Sequence, residues 1–173
     1  MKMTTKTLAC NLFVLLMLTA LGSPFAAEVT EEQVKMPRRW FNGARGFEEA
    51  RQIQFDTGAD IFLYIAKRGS SSSKGLCTWW ETKGMKAGRL GSFLDYYIQV
   101  ELAEPGDQET KDLIELFFTA DNGPTVYIIP PHLPPRRIHV FNWPGGRPEL
   151  KQNHDLLAEI KQASSPHYAN LKD

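Results

Sequence analysis

Residues 75 to 82 read GLCTWWET, and Cys77 is the side chain there that could act as a nucleophile. A thiolate attacks disulfide sulfur, and a second thiol three residues on would displace the captured partner and complete the exchange. In this chain that position is Trp80. Cys77 then has three readings: a reactive thiol acting alone, an intermolecular partner, or a buried inert side chain. A helix beginning close to Cys77 would give it unpaired N–H groups and a partial positive charge, both of which favour thiolate over thiol. Lys74, three residues upstream, would add to that effect if it folds over the site. Other chemistries have less behind them. His132, His139, His154 and His167 have no ligand spacing with one another or with Cys77, so no metal is expected. The stretch GSSSSKG lacks the spacing of a phosphate loop, and no cofactor is expected. Lys and Arg number 20 against 20 Asp and Glu, so net charge gives no reason to expect a nucleic-acid partner.

The first 27 residues differ from the rest. Lys2 and Lys6 precede a nearly continuous apolar run from Leu8 to Leu21, followed by the small, turn-prone GSPFAA. This is a secretory signal pattern, with cleavage after Gly22, Ala26 or Ala27, and it implies a periplasmic or secreted protein. A membrane association follows only if the segment is retained as an anchor. Cleavage would remove Cys10 and leave Cys77 as the single cysteine, so no internal disulfide is available. It would also remove Lys2 and Lys6, taking the basic count from 20 to 18 against 20 acids. What remains suits one domain with one core.

The polar segment EVTEEQVKMPRR, residues 28–39, reads as an arm. Phe47, Ala50 and Ile53 recur at helical spacing between Gly46 and Thr57, with Gly58 as the stop. DIFLYIAK, residues 60–67, is apolar on both faces, as a central strand covered by helices would be. RGSSSSKGL reads as a flexible loop. A helix is then expected from near Cys77, with Trp80, Gly84, Ala87, Leu90 or Gly91, and Leu94 on its inward stripe. Strands follow at 96–102, 125–129 and 138–143. A helix at 107–118 turns Leu113, Leu116 and Phe117 inward, and a last helix spans 147–162. The proline-rich PPHLPPRR at 130–137 reads as a stiff loop between two strands, or as an extended segment for a partner. Residues 164–173 form a C-terminal tail.

The order α-β-α-β-α-β-β-α, with a cysteine at the helix after the first central strand and a Pro-Thr opening a later strand, resembles the thioredoxin superfamily over residues 40–163. Three matches carry the resemblance: DIFLYIAK leading into Cys77, GPTVYII in the place of the family's cis-proline and following strand, and a final β-β-α with Gly145-Gly146 before the last helix. It implies an α/β three-layer sandwich, a central mixed sheet of four strands flanked by helices. It also implies that Cys77 matches the first position of Cys-x-x-Cys and Trp80 the second, and that Pro124 is cis and faces Cys77. Trp79, Gly123 and Pro124 would then shape a substrate groove. Two functions follow from the resemblance. One is a monothiol redox or mixed-disulfide role through Cys77, with a protein or small-molecule thiol or disulfide as partner. The other is a redox-inactive binding module that keeps the groove without the catalysis.

The leader makes a prediction of its own. Intact-mass measurement of the exported protein should find no residue before Ser23 and one titratable thiol in denaturant. Intact Met1 on membrane-bound material would replace this with the anchor.

Overall fold

A computed structural model of the chain describes Met36, residues 38–86 and residues 88–171. The leader, Cys10, most of the arm and Ala87 lie outside the described residues. The elements in chain order are β1 (Trp40–Asn42), α1 (Gly43–Thr57), β2 (Ile61–Lys67), α2 (Ser71–Trp79), α3 (Gly88–Leu94), β3 (Ile98–Glu104), α4 (Gln108–Phe117), β4 (Pro124–Ile129), β5 (Arg136–Ile138), β6 (Phe141–Asn142), β7 (Glu149–Leu150) and α5 (Asn153–Ala163). A π-helical turn, Trp80–Gly84, follows α2, and a 3-10 helix, Pro166–Asn170, follows α5.

β2 lies at the centre because it is apolar on both faces. Ile61 to Ala66 are all buried, and such a strand must have sheet neighbours on both edges and helices on both sides. The sheet order is β1-β3-β2-β4-β5. β1 and β2 run parallel to β3, while β4 runs antiparallel to both β2 and β5. Phe62, Tyr64 and Ala66 pack with Cys77, Trp80, Leu90 and Leu156 on one face of the sheet. Ile61, Leu63 and Ile65 pack with Ala50 and Ile114 on the other. This is the expected α/β three-layer sandwich with a central mixed sheet, with α2, α3 and α5 in one outer layer and α1 and α4 in the other.

Several local expectations change. The sheet has five strands, because Trp40–Asn42 adds a short edge strand to β3. The expected strand at 138–143 divides: Ile138 ends β5, and Phe141–Asn142 pairs with Glu149–Leu150 in a separate ribbon. Arg147–Gln152 lies outside the last helix, which begins at Asn153. Leu116 and Phe117 are exposed at 75% and 70%, while Thr110 and Ile114 are the buried residues of α4 and Leu113 packs partly buried beside them. Gly123–Pro124 is trans, and the cis bond among the described residues is Glu104–Pro105. Gly123, at φ 144°, turns the chain directly into β4, where Pro124 stands opposite Ala66.

The end of the chain is tied to the start of β2. The buried Asp60 carboxylate accepts from Ser165 N at 2.7 Å and Ser165 Oγ at 2.6 Å. Tyr168 Oη accepts from Asp60 N at 3.0 Å and donates to the Tyr96 carbonyl at 2.9 Å. Its ring stacks on Tyr97 with centroids 4.5 Å apart. Burial raises the Asp60 carboxyl above its ordinary value, against the Ser165 hydrogen bonds.

Trp80 is fully buried, and its indole N–H has no acceptor among the described residues. The π turn places Gly84 against the ring: a Cβ there would lie 2.0 Å from Trp80 Cε3. Gly84→Ala must therefore displace a core tryptophan, and we expect it to cost about 1–3 kcal/mol through overpacking. Urea unfolding of G84A should show a lower midpoint at unchanged m-value; an unchanged midpoint would show that the indole moves freely.

Candidate functional site

The chain leaving β2 enters α2 through a capping box. Ser70 is the N-cap, with extended backbone at φ −130° and ψ 164°. Its Oγ accepts from Ser73 N at 3.1 Å, and Ser73 Oγ accepts from Ser70 N at 3.0 Å. These bonds satisfy two backbone donors that the start of a helix otherwise leaves open. The two hydroxyls are 2.5 Å apart. RGSSSSKGL is thus the first turns of a helix and its cap, not a flexible loop. Ser70 and Ser73, three residues apart, thus close the first turn of α2 on itself.

Cys77 therefore sits elsewhere than expected. It is seven residues past the N-cap, about 10 Å along the axis at the helical rise, and the terminal partial charge fades within the first turn. The side chain is 0% exposed, and its Sγ makes a weak contact with the Lys67 carbonyl at 3.7 Å. Burial pushes the thiol above its ordinary pKa. Tyr64 and Arg68 pull it down, while Glu81 and Glu101 push it further up. The net direction keeps it protonated, the opposite of an activated nucleophile. Lys74 is exposed, and it is not among the groups that shift the Cys77 thiol, which are Tyr64, Arg68, Glu81 and Glu101.

Behind Cys77 lies a polar cluster that sequence reasoning missed. Tyr64 Oη donates to Glu81 Oε1 at 2.7 Å. Arg68 Nη2 donates to Glu81 Oε1 at 2.5 Å and to Glu101 Oε1 at 3.1 Å. Burial, and then the bond to Glu81, hold the Tyr64 phenol far above its ordinary range, so it remains a donor. The signal available in the sequence was Gln99 and Glu101 alternating with Ile98, Val100 and Leu102 in a strand read only as a strand.

Of the three expected groove residues, Gly123 and Pro124 share a cleft and Trp79 lies outside its lining, against Phe141. Gly123 and Pro124 line a shallow cleft of about 40 Å³ with Leu76, Phe141, Trp143 and Arg137. Trp79 is 38% exposed and leans on Phe141, with ring centroids 5.3 Å apart. Cys77 does not line this cleft. The backbone of Gly123 is already committed: its N–H donates to the Asp121 carbonyl at 2.9 Å, and its carbonyl accepts from Lys67 N at 3.3 Å. Contact here is left to side chains, of which Trp143, 56% exposed, is the most available.

No family model and no curated protein matches the sequence. Among solved structures, the solution structure of a thioredoxin from Thermus thermophilus aligns over 75% of this chain and 87% of that chain, with a TM-score of 0.48 and 14% identity.

The capping geometry generates a test. In Ser70→Cys/Ser73→Cys the two sulfurs replace oxygens 2.5 Å apart, and a disulfide is expected to close across the first turn. Thiol titration after a mild glutathione buffer should find both new thiols consumed and Cys77 still reduced. Two persistently free thiols would show that the two positions do not approach as the capping box requires.

Proposed function

We propose that this chain is an exported thioredoxin-like binding module that performs no thiol chemistry of its own. The burial of Cys77 in the interior of α2 supports this reading over a monothiol exchanger. An attacking thiolate needs access and a lowered pKa, and this thiol has neither. At the start of the helix, where a catalytic pair would gain from the open N–H groups, two serines use those groups to cap it. Hydroxyls there can donate and accept, but they cannot exchange with a disulfide.

Binding falls to the aromatic surface at the cleft. Exposed tryptophans beside a small depression of mixed polarity are the residue type that dominates protein interfaces. Trp79 and Trp143 flank Phe141 here, and Arg137 and Asp121 form an ion pair at the rim. Because the Gly123 backbone is occupied, a protein partner would be held through side-chain contacts and not by adding a strand beside Pro124. The leader sequence places the work outside the cytoplasm in this proposal.

Alkylation of Cys77 decides between the two classes. Folded protein should react with iodoacetamide on the order of a thousandfold more slowly than urea-unfolded protein, because access requires opening of the core. Reaction of the folded form at the unfolded rate, or a stable one-to-one adduct with a small disulfide at neutral pH, would restore the monothiol exchanger. The burial-raised pKa also sets a sign. The thiol's contribution to stability is complete below the ordinary thiol range and declines as alkaline pH deprotonates it in the unfolded chain.

A further inference from the structure

The inner face of β3 is polar where a core strand should be apolar. Ile98, Val100 and Leu102 face the buried cluster under α1 and α4. By strand alternation Gln99 and Glu101 face the opposite side, with Trp40 of β1 beside Gln99 and Tyr64 of β2 beside Glu101. These residues form the floor of a cavity of about 670 Å³, roofed by the π turn and α3. Its size lies within the range of small-molecule sites.

The charges in this cavity are layered. At the floor one guanidinium, Arg68, serves two carboxylates, Glu81 and Glu101, and leaves one negative charge in excess. All three side chains are between 27% and 29% exposed, so water screens that excess less than it would at the surface. The bonds given to each carboxylate use Oε1 and leave Oε2 as an acceptor. At the rim stand two cations: Arg38, paired with Asp95 at 2.5 Å but with its side chain 77% exposed, and the exposed Lys86. Trp40, Met85 and Leu94 supply apolar wall between the two layers.

We propose that this cavity binds a small zwitterion, an α-amino acid or a dipeptide, with its ammonium on Glu81 and Glu101 and its carboxylate toward Lys86 and Arg38. An ammonium supplies the positive charge that the floor lacks and donors for the open Oε2 atoms. A simple amine would meet the rim cations without compensation, and a simple carboxylate would meet the floor carboxylates. The apolar wall accommodates a side chain such as that of leucine. This site is separate from the cleft at Gly123 and does not rest on the state of Cys77.

The test uses leucine and its truncations as probes of the purified protein, followed by amide and indole NMR shifts. L-leucine should shift the Trp40 indole and the Gln99 and Glu101 amides. Leucyl-leucine doing so in its place, or as well, identifies a dipeptide as the ligand. Isoamylamine should bind about tenfold more weakly or worse, and 4-methylpentanoate should not bind, since each lacks one charged hydrogen-bonded end. Glu101→Gln should lose tenfold or more in affinity for the zwitterion. Lys86→Ala should weaken the zwitterion and tighten isoamylamine by relieving its repulsion, which keeps the test open if E101Q fails to fold. Trp143→Ala should change nothing. The proposal is overturned if neither zwitterion binds at millimolar concentration, if folded E101Q binds as wild type does, or if W143A abolishes binding.

Discussion

The burial of β2 on both faces governs everything else in the molecule. Six consecutive residues from Ile61 to Ala66 leave no side chain for water, so each face must be covered and each edge paired. That requirement brings β3 and β4 alongside and puts a helix layer on either side of the sheet. It also restricts the next segment of chain. Beyond Lys67 the backbone has to return at once over the face carrying Phe62, Tyr64 and Ala66, and α2 must therefore present an apolar side to them. Cys77 and Trp80, three apart, are that side.

From this constraint the fate of the thiol follows. Helix α2 begins at Ser70 because the capping box satisfies two open donors there, and each later residue takes its angular position from that start. A helix starting at Cys77 would have left the thiol at an exposed N-terminus; one starting seven residues earlier turns it inward against Tyr64. The π turn after Trp79 admits the Trp80 indole, and Gly84 opposite the ring is its necessary complement. Trp80 is thus itself part of the packing that seals Cys77.

Alternating and continuous apolar patterns made most of the sandwich legible from sequence. DIFLYIAK and TVYII have the composition of buried strands, and Phe47, Ala50 and Ile53 have helical spacing; all three became elements close to their expected bounds. What escaped was local chemistry. Four consecutive serines look like linker by composition, and only the geometry of Ser70 and Ser73 shows a cap; glutamate at the third helical position would have announced it. Trp40–Asn42 is too short to show a period, and Leu116 and Phe117 are exposed despite their apolar side chains. The resemblance pointed to Trp79, Gly123 and Pro124, of which Gly123 and Pro124 line the cleft and Trp79 leans on its Phe141. The cluster of Tyr64, Arg68, Glu81 and Glu101 draws on separate segments of chain and has no local signature.

That cluster is only partly buried, its three charged side chains being 27% to 29% exposed. Ion pairs reached by water contribute little net stability, so stability alone is a weak reason to keep these charges beside the helix layer. In this chain the charges are also unbalanced, with two carboxylates on one guanidinium and a neutral phenol held as donor beside them. Those carboxylates add to the burial that raises the Cys77 pKa. Thiolate formation and an anionic cavity floor therefore oppose each other physically: a fold that builds the floor with Glu81 and Glu101 disfavours a negative sulfur behind it. An activated cysteine at this position would need those glutamates neutralised, whereas a ligand-binding floor needs them charged.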